Sequence, residues 1–503
     1  VNMYRQPTLS FFQDTLASVL PADEYAAAQS IRDRSPFLQL SVGARVRQYV
    51  VRRLFAIAAR VAAQPLYVRN TISYLAGIDA RSSRLLADLI REGVLRSWHI
   101  APMAPDIPPV IYAYAEFARM RKKSGREYVL HGHAAGGMGD TLDDALVPML
   151  AEALERHALC NWPADIQYLS CEVAAKNNYI NPALFSPYSA AQLETSTFMR
   201  HRVQPGQAMG WMPARNALTD EVVCIPAQLA YLFYAQEHRQ EPILGADTSS
   251  GAAAGVSYED AAYRAVCELI ERDAFLLHWL NKITPPQIDL ETVPVPGVQA
   301  RVREYATYGL ELTVLDITTD IQVPVFLSVL IDRNGGNAVS VSAAAGYDAT
   351  AALTKVVNEV LKFSHTPASG VVGVQHMTTP EQRRSLWSSQ EMIPHIEFLL
   401  SGPRVAFEVG GTRAGASELW RRLKNELREK DYSCYIVEVT TPLAQREGLS
   451  VVKAVMPELV PLYFDEQRKP LGVSRLFDSE IVRRHSLGET SVEMINTVPH
   501  PFV

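Results

Sequence analysis

AGGMGDTLDDALVPMLAEALERHA (residues 135–158) and GAAAGVSYEDAAYRAVCELIERDA (residues 251–274) align without a gap at a constant offset. Gly139/Gly255, Asp144/Asp260, Ala145/Ala261, Glu152/Glu268, Glu155/Glu271, Arg156/Arg272 and Ala158/Ala274 are identical between them. A weaker third copy, GYDATAALTKVVNEVLKF (346–363), keeps the mutual spacing of Gly346, Ala352 and Glu359 but lacks the Glu-Arg pair. At about 100° per residue, Asp260, Glu268, Glu271 and Arg272 fall within one helical arc of about 120°. Ala262, Val266, Leu269 and Ile270 face away from it, and in the first copy Leu146, Leu150 and Leu154 lie opposite Asp144, Glu152, Glu155 and Arg156.

A single Glu-x-x-Glu-Arg is ordinarily the wet face of an amphipathic helix. Solvation does not dictate which charged residue occupies which position, so the same residues in register twice point to one shared object. Carboxylates gathered on such an object repel one another and titrate high unless a cation neutralises them. Oxygen-only ligands suit magnesium, which is held through a few carboxylates together with substrate phosphates. A magnesium-nucleotide site accounts for both the acids and the arginines.

The 503 residues are too many for one ordinary core, and 48% hydrophobic with 20% charged residues is the composition of a folded protein. A net charge of −6 argues against general nucleic-acid binding. No apolar run reaches the ~18–20 residues that span a bilayer, and VNMYRQPTLSFFQ is unlike a signal peptide, so a cytoplasmic protein is expected. Cys160, Cys171, Cys224, Cys267 and Cys434 are scattered, with no C-x-x-C, and read as reduced thiols without zinc.

Residues 1 to about 105 read as a helical, arginine-rich region. Its TISYLAGIDARSSRLLADLIREGVLRSW has the order helix, turn, helix capped near Asp79 or Ser82, turn at Glu92-Gly93, strand. That order is winged-helix-like, and the expected role is docking of a peptide or partner. APMAPDIPP (101–109) reads as a linker, because prolines oppose both helix and ladder. From 110 to 503 strand and helix patterns alternate, giving an α/β (α+β) catalytic domain with internal pseudo-repeats. Strands are expected in VIYAYAEFARM, REYVLHGHA, VVCIPAQLAYLFY, LELTVLDITTD, VPVFLSVLID, NAVSVSAAAG, SCYIVEVTT and VVKAVMPEL.

No G-x-x-x-x-G-K-[ST] is present, and GHAAGGMG (132–139) is not a dinucleotide fingerprint; it reads as a loop before a helix, able to offer amides to phosphate. His131 and His133 read as loop or edge-strand residues, with no third metal ligand at sensible spacing. Neither G-x-S-x-G nor a Cys-His signature supports covalent catalysis.

SSGAAAGVSYEDAAYRAVCELIERDAFLLHW resembles the second nucleotide motif of YcaO-domain proteins, and ALTKVVNEVLKF resembles their third. LDITTDIQVPVF (315–326), VVKAVMPELVPLYF (451–464) and GVSRLF (472–477) resemble later family blocks, so the resemblance runs over roughly 125–503. It implies a fold that holds magnesium-ATP without a P-loop, with ATP on Glu152, Arg156, Asp260, Glu268, Arg272 and Lys355, and magnesium on Glu155, Glu271 and Glu359. The chain departs from the family pattern at Met138, Pro148, Ala253, Val256 and Lys355, the last standing where arginine is common. NTVPHPFV (496–503) resembles the proline-rich tail of azoline-forming members, which implies a catalytic role for Pro499, Pro501 and Val503.

The activity so implied is ATP-dependent cyclodehydration in ribosomal peptide (RiPP, bacteriocin-type) biosynthesis. A Cys, Ser or Thr side chain adds to the preceding carbonyl, the oxygen is phosphorylated, and phosphate leaves to give thiazoline or oxazoline. Thioamide or amidine formation by the same fold, and a non-catalytic peptide-binding scaffold, are the alternatives. The implied partners are a precursor peptide, a docking protein like ubiquitin-activating enzymes and a flavin dehydrogenase, with a homodimer within such a complex also open. Neither nucleic acid nor membrane is expected as a partner.

Overall fold

The computed structural model describes residues 79–100, 108, 110–121, 127–128, 135–174, 178–334, 337–361, 377–408, 410, 414–485 and 490–502. His131, His133, Val503 and most of the expected docking region lie outside them.

Helix α1 (Ala80–Arg91) starts where Asp79 accepts the N–H groups of Arg81 and Ser82, as the capping reading expects. It turns at Gly93, whose φ of 70° suits glycine, into β1 (Leu95–Ile100). Strand β1 pairs antiparallel with β2 (Ile111–Phe117), which pairs with β3 (Ala135–Gly139). Leu85, Leu86 and Leu89 of α1 share one core with Leu146, Met149 and Leu150 of α2 (Leu142–Leu159). Strands β1 and β2, on either side of residues 101–109, belong to one sheet, and residues 80–100 share a core with the body that follows.

A second sheet has the order β4 (Gln167–Ser170), β5 (Ala208–Asn216), β13 (Tyr435–Glu438), β14 (Ser450–Val455) and β7 (Ala252–Gly255), with β6 (Val222–Pro226) also on β5. The third runs β11 (Val339–Ala345), β10 (Val325–Asp332), β9 (Leu310–Asp316), β8 (Gln287–Asp289), β12 (Arg404–Ala406). Among the described residues β8 pairs parallel with β12, Tyr179 and Cys224 form an isolated parallel bridge, and the other ladders are antiparallel. Of the two classes expected, α+β is the one formed.

Period-two alternation stacks these sheets into layers. Val437 and Val451 face α1 and α2, while Ile436, Val452 and Ala454 face α3 (Tyr258–Leu280). On the third sheet Leu315, Leu327 and Val329 face α3. Val314, Phe326 and Leu330 face α5 (Ala349–Glu359), beside which lies α4 (Pro296–Thr307). Helix α3 thus lies between two sheets, and its residues from Ala274 to Leu280 are all buried.

The glycine segment read as a loop is, over its described residues Ala135–Gly139, a strand, and the lead-in of the second repeat, Ala252–Gly255, is another. A Cβ on Gly137 would collide with Ala145 O, and one on Gly139 or Gly255 with the first turn of the following helix. Strand and helix approach so closely that only small residues fit, which removes the β-branched signature by which strands are recognised. Strand β5, AMGWMPARN, escaped notice for a related reason, as its proline and glycine read as punctuation.

Candidate nucleotide site

Each repeat is a short strand, a capped turn and a helix. Thr141 caps α2 by accepting Asp144 N–H, and Ser257 caps α3 by accepting Asp260 N–H. The carboxylate of Asp144 returns to the Thr141 N–H at 3.2 Å, and that of Asp260 accepts from Val256 N–H at 3.1 Å and Arg264 Nε at 2.9 Å. The repeated aspartate is thus a capping residue, and Asp260 stands two turns from the residues that cluster below it.

Those residues meet around β7, the last strand of its sheet. Glu155 of α2 accepts the Ala254 N–H of β7 at 2.8 Å. Glu152 accepts Gly136 N–H at 2.7 Å, and Glu268 accepts Gly251 N–H at 3.2 Å, so equivalent glutamates tie each helix back to the segment that leads into it. Their other oxygens take Arg156 at 2.7 Å and Arg272 at 3.0 Å. Arg272 also pairs with Glu271, and its guanidinium lies 4.3 Å from the ring centroid of Phe502. Arg272 Nε is buried and has no partner among the described residues.

Helix α5 completes the group. Lys355 is held above the usual lysine range by Glu359, and also feels Glu271 and Glu268 although its side chain is exposed. Burial pushes Glu155 up to about 8, against the bond from Ala254, with Glu268 and Glu152 adding to the rise. Burial likewise pushes Glu271 up to about 7; Arg272 and Lys355 oppose it, and Glu268 and Glu359 reinforce it. Glu152, Glu155, Arg156, Glu268 and Arg272 keep some contact with solvent while Glu271 is buried, so the cluster has an open side.

Lys453 of β14 is a member that sequence reasoning missed. It is buried, its ammonium donates to Thr248 O at 3.0 Å and Ser250 O at 2.5 Å, and burial lowers it to about 8 while Glu268 and Asp247 hold it up. A lone lysine in an apolar strand, VVKAV, carries no sequence signal of what lies beside it.

Pro499 and Pro501 are buried, and Trp387 Nε1 donates to the Pro499 carbonyl at 3.0 Å. Among the described tail residues Phe502, not singled out from the sequence, lies against Arg272 of the cluster, and Val503 lies outside them.

Among the described residues, no three His, Cys, Asp or Glu side chains gather closely enough to hold a metal alone. The donor set nevertheless fits magnesium-ATP. Magnesium takes only one or two carboxylates and completes its octahedron with phosphate and water, burial and neighbouring carboxylates raise Glu155 and Glu271 in a way a divalent cation would offset, and Arg272 Nε is a donor without a partner among the described residues.

Residues 136–460 match the family model described as YcaO cyclodehydratase, ATP- and Mg2+-binding. The chain belongs to the YcaO family. ATP and Mg2+ are the cofactors of that family. Its fold is similar to that of a heterocyclase solved in complex with substrate and cofactor, with a TM-score of 0.64 and 22% identity over 82% of this chain and 55% of that one. YcaO from Methanopyrus kandleri bound with AMPPCP and Mg2+ is similar with a TM-score of 0.54 and 16% identity, over 78% of this chain and 94% of that one. An uncharacterized protein in the tfuA 3′ region of Rhizobium leguminosarum bv. trifolii is 31% identical over 128 residues, 25% of this chain and 30% of its own length. The chain thus spans about half of the heterocyclase and under a third of that curated relative. No helix among the described residues is long and apolar enough to cross a membrane.

Proposed function

We propose that the chain is an ATP-dependent peptide cyclodehydratase, converting Cys, Ser or Thr residues of a ribosomal precursor peptide to thiazoline or oxazoline. The observation that carries this reading is the gathering of acidic and basic residues from three repeated helices, with Glu155 on the Ala254 N–H of β7, Lys355 beside Glu271 and Glu268, and Glu155 and Glu271 both displaced toward neutrality.

In this reading Glu155, Glu271 and Glu359 hold magnesium, which when bound offsets phosphate charge. Arg156 and Arg272, each aligned by the glutamate four residues earlier, present planar forks suited to phosphate oxygens. Lys355 contributes a point charge at the open side, and Glu152 and Glu268 orient the arginines. Asp260 shapes the entry of α3 through its cap. An amide oxygen is a poor leaving group, so the reaction needs it phosphorylated, and positioning with electrostatics supplies most of the catalysis. The segment around Pro499, Pro501 and Val503 is assigned to ordering the peptide beside the cluster. A docking region within residues 1 to about 105, a docking protein and a flavin dehydrogenase complete the proposed assembly.

The test is incubation with magnesium-ATP and a peptide rich in Cys, Ser and Thr. Phosphate release coupled to the loss of one water per ring is expected. Exchange of oxygen for sulfur would assign the chain to thioamide chemistry, and binding without ATP consumption would make it a scaffold.

A further inference from the structure

Residues 496–502 are fixed in an unusual way. Prolines at 499 and 501 have no N–H to donate, so the carbonyls are the groups that need partners once the segment is buried. Three consecutive carbonyls find them in side chains: Trp279 Nε1 donates to Val498 O at 3.1 Å, Trp387 Nε1 to Pro499 O at 3.0 Å, and Arg383 Nη1 to His500 O at 3.2 Å. Arg383 is fully buried, with its other arm on Phe464 O at 3.0 Å and on Glu466. The His500 ring donates from Nε2 to Tyr463 O at 2.8 Å. The donors come from α3 and from α6 (Pro380–Trp387), and the 451–464 block supplies the Tyr463 carbonyl that accepts from His500, so the segment is held by three parts of the chain.

This grip ends on Phe502. Its ring packs at 5.0 Å from that of Phe275 and, at 4.3 Å, against the guanidinium of Arg272. The guanidinium therefore has Glu268 and Glu271 along its edge and an aromatic surface to pack on.

We propose that Phe502 is a positioning residue for Arg272, and that Trp279, Trp387 and Arg383 form a clamp that holds Phe502 in place. The inference rests on the reading of Arg272 as a nucleotide-binding residue. An arginine on a long stem loses rotamer freedom on binding phosphate; an aromatic face that fixes its plane beforehand reduces that cost and leaves its donors free to point at the ligand. A plain core role would require volume from Phe502, whereas this role requires its π face.

The two are separated by calorimetric titration of magnesium-AMPPCP, a non-hydrolysable ATP analogue, into the full chain. Phe502→Leu keeps most of the volume and should weaken binding about tenfold, while a trifluorinated phenylalanine in place of Phe502 keeps the shape, drains the π face and should weaken it about threefold. Trp387→Phe removes one donor of the clamp and should weaken binding by about threefold. The proposal is overturned if the trifluorinated chain binds like the native one, whatever the leucine variant does; should the leucine variant fail to fold, the fluorinated chain still decides. Native binding by Trp387→Phe would remove the clamp alone. If the native chain does not bind magnesium-AMPPCP, the nucleotide reading of Arg272 fails first and the positioning role falls with it.

Discussion

Glu155 on the first repeated helix accepts the backbone N–H of Ala254 in the strand that begins the second repeat, at 2.8 Å. This bond crosses between the two copies, whereas Glu152 and Glu268 each bond within their own. It brings the acidic turn of α2 to the edge of β7, beside that of α3. Duplication of the motif thereby yields one site made by two helices facing each other.

The crossing has a consequence for pH. Burial holds Glu155 near about 8 and Glu271 near about 7, against 4.5 for a free glutamate. A group whose folded pKa is raised stabilises the fold fully below its unfolded pKa, and that contribution is lost as pH rises toward the folded value. The magnesium-free chain should therefore lose thermal stability progressively from about pH 4.5 to about pH 8 on account of these groups. Magnesium must displace their protons, so its affinity should rise over the upper part of that range. Melting temperature against pH, with and without magnesium-AMPPCP, should show two curves diverging upward in pH. Glu155→Gln should flatten both slopes.

Glycine at the strand-to-helix joint should be indispensable in the second copy and dispensable in the third. A Cβ on Gly255 falls on the backbone of Ala261, which cannot yield without moving α3, whereas one on Gly346 meets only Tyr263 Oη at 3.4 Å. Gly255→Ala should cost about 1–3 kcal/mol, read as a lowered denaturant midpoint at unchanged slope. Gly346→Ala should stay within about 0.5 kcal/mol of the native chain.

Arg475 is the keystone behind α3. It takes both oxygens of Asp273 at 3.0 and 2.8 Å and both of Asp320 at 2.6 and 3.0 Å, while Val460 N–H donates to Asp273. This joins GVSRLF, LDITTD and the 451–464 block to the residue that follows Arg272. Arg475→Met strands the buried Asp273 carboxylate and should cost about 3–5 kcal/mol in equilibrium unfolding. Adding Asp273→Asn should recover part of that loss; a loss equal to the single variant's would show that the pair is not coupled.

The parts legible in the sequence were those that recur. Glu152, Glu155, Arg156 and their counterparts at 268, 271 and 272 declared themselves by register, and the structure brings them together. Register does not distinguish a repeated cap from the rest of the repeated face, and the Asp260 carboxylate serves the entry of α3. Groups that occur once were invisible for the same reason. Lys453 and Phe502 reach the cluster through sheet pairing and a buried segment remote in sequence, and no spacing rule joins position 453 or 502 to position 268. Strands β3 and β7 were hidden because close helix packing leaves them glycine and alanine at every position but Met138.

The most direct measurement of the central claim is the position of manganese, used as an anomalous-scattering substitute for magnesium, in a crystal of the chain grown with AMPPCP. The account places the peak among Glu155, Glu271 and Glu359, within coordination distance, roughly 2.0–2.2 Å, of at least one of their carboxylates, with phosphate oxygens completing the shell and Arg156 and Arg272 on the phosphates. A nucleotide and metal bound elsewhere, with these carboxylates left untouched, would contradict it.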